Sequence, residues 1–524
     1  MNRGVARAAE APREVELKLE LDPHEAARLG ETALIRGVEG RTEALSTTYY
    51  DTERLELRGA GLSLRVRLTD GRRIQTIKSQ DGAAAGLFDR NEWEREIDGD
   101  GPDLAAATGT ALEPLLDISG VRDGIRPIFT VRVDRVTYPL SGGAWAAELT
   151  LDQGNVEAEG RAAALCELEL ELKRGQAPDL FAIARSLSGE IPVRLGVRTK
   201  AERGYDLVLN QPPKAVKAKS SALLPGMTTA AAFQAIGRAC LHHLLSNERI
   251  LSETRDPDVV HQMRVAMRRF RAAISLFKDM LADERRDAIR GELKWISNEL
   301  GAARDLDVFI AKALQPVRQE HPDEPGLAVL VSSFERQREQ AYEKALAAVD
   351  SQRFRTLVID TAAWVEAGSW LRAHDNPART EAFEVFAAEE LARRRKRVRK
   401  RGAHLADLDP HDRHQVRIEI KKLRYATEFF SPLFDGGKAK KRQGKFLSAL
   451  EDLQEHLGDL NDVAVSQEMH PELFRSHEEG NGEEPRHREA ARLIVKHLMA
   501  RADASLKPAL KAFRKFDDVK PFWK

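Results

Sequence analysis

The chain has 524 residues, 83 Lys+Arg against 83 Asp+Glu, 42% hydrophobic and 32% charged. That length suggests two large domains or three, and the composition is that of a globular protein, not a disordered or fibrous one. No apolar run approaches the roughly 18 residues of a membrane-spanning helix. Cys166 and Cys240 are the two cysteines, too few for a disulfide scaffold or a Cys-rich zinc module and in keeping with a reducing cytoplasm.

The zero net charge hides an asymmetry. Residues 1–210 carry 28 Lys+Arg and 36 Asp+Glu, a net of −8, which leaves +8 for the rest. His24 is the single histidine of that first part, out of 14 in the chain. Two modules with different partners are expected. Met1 to Pro12 is Arg- and Ala-rich without an apolar core, so no secretory signal is expected there.

The first part alternates. Val15, Leu17, Leu19 and Leu21 interleave with Glu14, Glu16, Lys18 and Glu20. Leu62, Leu64, Val66 and Leu68 interleave with Ser63, Arg65 and Arg67, and Cys166, Leu168, Leu170 and Leu172 with Glu167, Glu169, Glu171 and Lys173. Period 2 predicts strands with one apolar and one ionic face. Short helices are expected after Asp22-Pro23 and around Asp179 to Leu187. An alternating polar face is ordinary for a sheet in water. The alternative is a closed barrel with its charges inward, where like carboxylates need cations or metal to stay ionised. Hard carboxylate oxygens suit Mg²⁺ or Mn²⁺, and Arg and Lys suit phosphate oxygens.

The ordered residues resemble the CYTH superfamily, the triphosphate tunnel enzymes. Glu14-x-Glu16-x-Lys18 is followed by Tyr49-Tyr50-Asp51-Thr52, Arg65-Val66-Arg67, Lys78 and Arg90-x-Glu92-x-Glu94. Then come Arg132, Arg135, Glu148, Asp152, Glu167-x-Glu169-x-Glu171 and Thr199-Lys200-Ala-x-Arg-Gly-Tyr, with Thr199 where that family usually has Ser. The resemblance implies an eight-stranded barrel acting on triphosphates with Mg²⁺ or Mn²⁺. It implies catalytic roles for Glu14, Glu16, Lys18, Arg65, Arg67 and Lys78. Substrate contacts fall to Lys18, Arg65, Arg67, Lys78, Arg132, Arg135 and Lys200, and metal contacts to Glu14, Glu16, Glu148, Asp152, Glu167, Glu169 and Glu171. Alternation prevents Arg132 and Arg135 from both pointing inward without a bulge.

Residues 211–221, with Gln211-Pro212-Pro213-Lys214, read as a linker. Beyond it the pattern is helical and internally repeated. DPDVVHQMRVAMRRFR (256–271) and DPHDRHQVRIEIKKLR (409–424) share six identities, and each is followed by Leu-Gly, an Asp and a Val, at Leu300…Val308 and Leu457…Val465. Asp256 and Asp409 read as N-caps with Pro at the next position. At about 100° per residue, His261, Arg264, Arg268 and Arg271 share one face, as do His414, Arg417, Lys421 and Arg424, with Met263, Met267, Phe270 and Ile274 on a separate core face. A dense cationic row calls for a dense anion. With aromatics at 6% and almost none in the stripe, a bare phosphate chain fits better than nucleic acid. Further basic runs lie at residues 393–401 and 438–445.

This half resembles the CHAD domain, a duplicated helical bundle, which implies inorganic polyphosphate binding by His261, Arg264, Arg268, Arg271, His414, Arg417, Lys421 and Arg424. Asp305 and Asp462 are expected as helix caps, the alternative being that they orient the basic stripe, with His242-His243 expected as structural and Cys166 as packed and inert. No P-loop or Gly-x-Gly-x-x-Gly fingerprint occurs.

The expected architecture is an α+β N-terminal closed antiparallel eight-stranded β-barrel over 1–210 and, after the 211–221 linker, an all-α duplicated helical bundle over 222–516. The expected protein is cytoplasmic, associated with polyphosphate granules, and hydrolyses inorganic triphosphate with Mg²⁺ or Mn²⁺ while binding polyphosphate. No membrane or specific nucleic-acid partner is expected. The alternatives are a non-catalytic polyphosphate scaffold and an enzyme acting on thiamine triphosphate or, as an adenylate cyclase, on ATP.

Overall fold

The computed structural model describes residues 13–79, 85–372, 376–471, 473–474 and 485–523; the segment Met1 to Pro12 lies outside them. The strands are β1 (Arg13–Glu20), β2 (Arg41–Asp51), β3 (Leu62–Thr69), β4 (Arg72–Ser79), β5 (Leu87–Ile97), β6 (Arg126–Gly142), β7 (Trp145–Ala158), β8 (Arg161–Arg174) and the short β9 (Arg194–Leu195). The longer helices are α1 (Ala177–Glu190), α2 (Lys200–Leu209), α3 (Thr229–Glu253), α4 (Pro257–Leu276), α5 (Glu284–Phe309), α6 (Pro325–Asp350), α7 (Gln352–Ala367), α8 (Phe383–Gly402), α9 (Pro410–Phe430), α10 (Gly437–Met469) and α11 (Pro485–Asp518).

The chain divides into two compact units: residues 1–214 with 351–368, and residues 215–350 with 369–524. In the first, the strands run β5-β4-β3-β2-β6-β7-β8-β1, and β5 pairs with β1 to close an eight-stranded antiparallel barrel; β9 flanks β1. Closure leaves no free edge among the eight.

The barrel is ionic inside and apolar outside. Cross-strand neighbours are Lys18 and Glu169, Glu16 and Glu171, Lys78 and Glu92, Thr76 and Glu94, and Arg135 and Asp152. A slip of one residue would turn this whole set outward. The opposite face carries Leu17, Leu19, Leu64, Val66, Ile77, Leu149, Leu151, Leu168 and Leu170, all buried. The segment 98–125 covers β3 and β4, joining Leu64, Val66 and Ile77 to Ala107, Leu112, Leu116 and Val121 in one cluster. Helix α1 packs on β1 and β8, and α7, drawn from far along the chain, packs on α1. The Arg185–Asp360 pair joins those two helices.

Farther along β6, β7 and β8 the same inward face becomes apolar: Val131, Val133, Val156, Ala158 and Leu165 gather with Leu45, Tyr49, Phe129, Ala201 and Tyr205. Helix α2 seals this end. Its Gly204 lies so close to Phe129 that a Cβ would come within 2.0 Å of the ring. Tyr205 anchors it, donating to Asp51 Oδ2 at 2.8 Å. Asp51, fully buried, also accepts from the backbone N–H groups of Thr52, Leu57 and Arg58. The Tyr-Asp-Thr segment therefore builds the barrel end; it does not line the charged cavity.

The second unit is helical. Asp256 caps α4 and Asp409 caps α9, each with Pro at the first turn. Met263, Met267, Phe270 and Ile274 are buried, as are Val416, Ile420 and Leu423. Asp305 and Asp462 fall inside α5 and α10, so they are not caps. His243 is structural: its Nε2 contacts the Val216 carbonyl at 2.9 Å, and burial pushes its pKa down to about 4.

Candidate functional site

A cavity of about 510 Å³ lies inside the barrel. Its carboxylates are Glu14 and Glu16 (β1), Glu92 and Glu94 (β5), and Glu169 and Glu171 (β8). Its cations are Lys18, Arg65, Arg67, Lys78, Arg90, Arg135, Lys173 and Lys200. Eight cations against six carboxylates leave the lining positive. Asp152 and Glu167 stand behind it, buried.

The charges hold each other in layers. Lys78 Nζ lies 2.9 Å from Glu14 and 2.7 Å from Glu92. Arg90 pairs with Glu16 and Lys18 with Glu169. Lys200, at the start of α2, reaches Asp152 at 2.8 Å, Glu167 at 2.5 Å and Glu169 at 2.9 Å. Thr199 caps that helix, its hydroxyl accepting from the Glu202 N–H at 3.1 Å, so the hydroxyl aims Lys200 into the barrel. Arg135 grips Asp152 with two bonds, 2.7 and 2.6 Å, and Glu169 with a third at 3.0 Å.

The surroundings fix protonation. Burial disfavours the Lys18 ammonium, but Glu16, Glu169 and Glu167 outweigh it and hold its pKa above the ordinary lysine value. Lys200 is likewise raised, burial being overcome by Asp152, Glu167 and Glu169. With these carboxylates around them, both ammonium groups are held in the charged form. Glu169 is held well below the carboxylate range: burial opposes its charge, but Lys18, Lys200 and Arg135 prevail. Glu171 goes the other way. Burial raises it, and Glu14 and Glu148 add to the rise while Lys173 holds it back. Arg67 is pushed down to about 10, chiefly by Arg65, then by burial and Arg135.

Most residues expected from the sequence converge here: Glu14, Glu16, Lys18, Arg65, Arg67, Lys78, Arg135, Glu169, Glu171 and Lys200 line the cavity. Arg132 does not. It shares its strand face with Asp134, outside the barrel, and pairs with Glu157 while 58% exposed. Arg135 takes the inward position instead, because Val131, Val133 and Arg135 share the face turned to the interior. Glu148 is bonded to Lys173 at 3.1 Å, beside the lining residue Glu171. Asp152, Glu167 and Glu169 have carboxylate oxygens within 4.8 Å of one another, the spacing of a metal-binding group. Arg90, Glu92, Glu94 and Lys173 are site residues given no role from the sequence. Their signal was present as continued alternation on β5 and β8.

In the helical unit the two basic stripes meet. Arg268 of α4 acts electrostatically on Arg417 and Lys421 of α9, and Lys421 also feels Arg264. Burial, then Arg417, Arg268 and Arg264, push Lys421 down to about 7. Burial, then Arg304 and Arg268, push His261 to about 4. Arg264 crosses α5 at Gly301, donating to the Ser297 carbonyl at 2.5 Å; a Cβ on Gly301 would sit 3.1 Å from its Nη1. Arg417 passes Gly458 of α10 in the same way, at 3.6 Å. The repeated Leu-Gly thus seats the repeated arginine. His414 Nδ1 contacts Asn461. Asp305 faces Arg264 at 3.9 Å.

The geometry is that of a charge-lined antiparallel barrel joined in one chain to a duplicated helical bundle with a cationic groove. Two family models match: CYTH domain over residues 12–205 and CHAD domain over residues 235–470. The chain carries a CYTH domain followed by a CHAD domain. It is 29% identical over 194 residues to an inorganic triphosphatase of Haemophilus influenzae, covering 37% of this chain and 54% of the relative, so the chain spans about half the length of that curated protein. The CHAD domain of Ricinus communis shares 29% identity at a TM-score of 0.49, covering 57% of this chain and 96% of that one. A Hippeastrum protein described as having a dominant triphosphatase activity shares 21% at a TM-score of 0.28, covering 37% and 95%. No described helix is long and apolar enough to cross a membrane.

Proposed function

We propose that the barrel hydrolyses inorganic triphosphate with a divalent cation, Mg²⁺ or Mn²⁺, and that the helical unit binds inorganic polyphosphate. The observation that carries this reading is the interleaving of eight cations with carboxylates in one enclosed polar cavity, able to hold phosphate oxygens and metal side by side. The inorganic triphosphatase relative supports it. The cavity lining has Tyr49 as its aromatic residue, little surface for a base, which favours inorganic triphosphate over a nucleotide or thiamine triphosphate.

The donor set fits a divalent metal. Glu14, Glu16, Glu169 and Glu171 supply hard oxygens on neighbouring strands β1 and β8, where Glu16 and Glu171 stand directly opposite each other. These carboxylates would hold the cation, which would supply charge neutralisation for the phosphoryl group under attack. Arg65, Arg67, Arg135 and Lys200 would hold the phosphate chain, and Lys18 and Lys78 would donate to its oxygens. Acids and cations that pair with each other in the cavity would exchange partners for metal and phosphate. The reaction is then positioning plus charge neutralisation around an attacking water. Residues Arg268, Arg264, Lys421 and Arg417, with His261, Arg271, His414 and Arg424, would hold polyphosphate in the helical groove.

Phosphate release from tripolyphosphate, with and without Mg²⁺ or Mn²⁺, tests the reading. Glu16→Ala and Arg67→Ala are each expected to remove most of it. Undiminished release by both variants would overturn the assignment, and no release by the parent chain with either metal would favour the scaffold reading.

A further inference from the structure

Apart from its basic groove, the helical unit holds a second cavity, of about 750 Å³. One wall is α8, which presents Arg395, Lys396, Arg399 and Lys400 at helical spacing; the other carries Phe513, Asp517 and Trp523. Four cations face one carboxylate, and that carboxylate is already engaged: Arg399 Nη2 lies 3.2 Å from Asp517 Oδ2. Arg395 donates to the carbonyls of Asp517 and Val519 at 2.9 and 2.8 Å, closing the end of α11. Among the described residues, Lys396 and Lys400 have no ion-pair partner, and both are exposed. Arg395 with Arg399, and Lys396 with Lys400, are like charges four apart on one helix, a spacing that costs stability until an anion arrives.

The opposite wall is aromatic and fixed. Trp523 is 7% exposed and packs edge-on against Phe446 at 5.3 Å and Phe522 at 4.8 Å. Its indole N–H has no acceptor among the described residues. Phe513 lies against α8 at Gly402, where a Cβ would come within 2.2 Å of the ring. A bare phosphate chain would use the lysines and leave this wall wet; a neutral aromatic ligand would leave the lysines unused. The volume is in the range of small-molecule sites, which combine apolar walls with a few polar anchors.

We propose that this cavity binds a nucleoside polyphosphate, its phosphates on Lys396, Arg399 and Lys400 and its base against Phe513 and Trp523. The test uses the full chain in metal-free buffer with ATP as probe, followed by calorimetry and by tryptophan fluorescence. Lys396→Ala with Lys400→Ala, both exposed and harmless to folding, is expected to weaken ATP binding at least tenfold. ATP is expected to quench a signal that Trp523→Phe removes, and adenosine or tripolyphosphate alone to bind this cavity at least tenfold more weakly than ATP. Unchanged ATP affinity in the double-lysine variant would overturn the proposal, as would tripolyphosphate displacing the quenching ATP at equal affinity. Tripolyphosphate hydrolysis by that variant should equal the parent's, so this site fails or stands apart from the barrel reading.

Discussion

Arg67 tests whether the barrel cavity is built to hold an anion. No carboxylate lies within ion-pair reach of it among the described residues, its Nε is buried without a partner, and its pKa falls well below the ordinary arginine value, to about 10. At roughly 1.4 kcal/mol per pKa unit this is a penalty of about 3 kcal/mol. Water in the cavity screens part of it, leaving about 1–2 kcal/mol. Because folding lowers the value, the penalty is complete at neutral pH and fades only as pH climbs past about 10 toward the ordinary arginine value. Arg67→Met should therefore raise the melting temperature of the barrel unit by about 2–8 °C, at roughly 2–4 °C per kcal/mol. Arg135→Met should do the reverse. It strips Asp152 of two hydrogen bonds and leaves a buried carboxylate under-compensated, at a cost of about 3 kcal/mol. Tripolyphosphate at 100 times its Kd should stabilise the parent by about 2.7 kcal/mol, and Arg67→Met should lose most of that. Thermal denaturation followed by circular dichroism, with and without tripolyphosphate, reads both effects. If Arg67→Met melts as early as Arg135→Met while keeping its protection by tripolyphosphate, the idea of a waiting cation is wrong.

Other consequences follow from the same charges. Glu171, raised by burial and its acidic neighbours, should take metal more readily as pH rises, and Glu171→Gln should raise the Mg²⁺ concentration needed for half-maximal phosphate release about tenfold. Lys421, at about 7, should take up a proton when polyphosphate binds; affinity should be higher at pH 6 than at pH 8.5, and Lys421→Ala should flatten that dependence in calorimetric titrations. Gly301→Ala should strengthen α5 by about 1 kcal/mol yet weaken polyphosphate binding several-fold by crowding Arg264. Trp364→Ala, in a helix of the barrel unit and 1% exposed, should destabilise that unit by about 3–5 kcal/mol, seen as a lower melting temperature.

The inward charged faces were legible because period 2 labels every second residue of a strand, and the barrel keeps those labels on one side from Glu14 to Lys173. The helical stripes were legible for the same reason at period 3.6. Arg132 and Arg135 could not be separated by pattern alone: Val131 and Val133 look like an outward apolar face until the apolar seal inside the barrel is known. Nor could the sequence tell that Asp305 and Asp462 sit mid-helix, since Leu-Gly before an Asp reads locally as a stop. The Gly instead makes room for an arginine from another helix. The attachment of α7 to α1 was invisible, because nothing local marks which of two units an amphipathic helix will cover.

The two units meet one problem, crowded cations, in opposite ways. In the barrel, nearly every Lys and Arg has a carboxylate, so the lysines stay charged and a bare anion must compete with six internal acids. A metal that occupies those acids removes the competition, which makes anion and metal binding mutually reinforcing. In the groove, acids are few and the cations lower one another's pKa, as at Lys421 and Arg264. An added anion there gains the field of both stripes and competes with few carboxylates, Asp305 beside Arg264 and Glu428 beside Arg424, and screening by salt should weaken it steeply. On this account the barrel should depend on divalent metal for tight anion binding, whereas the groove should bind its anion without metal and lose it with rising ionic strength.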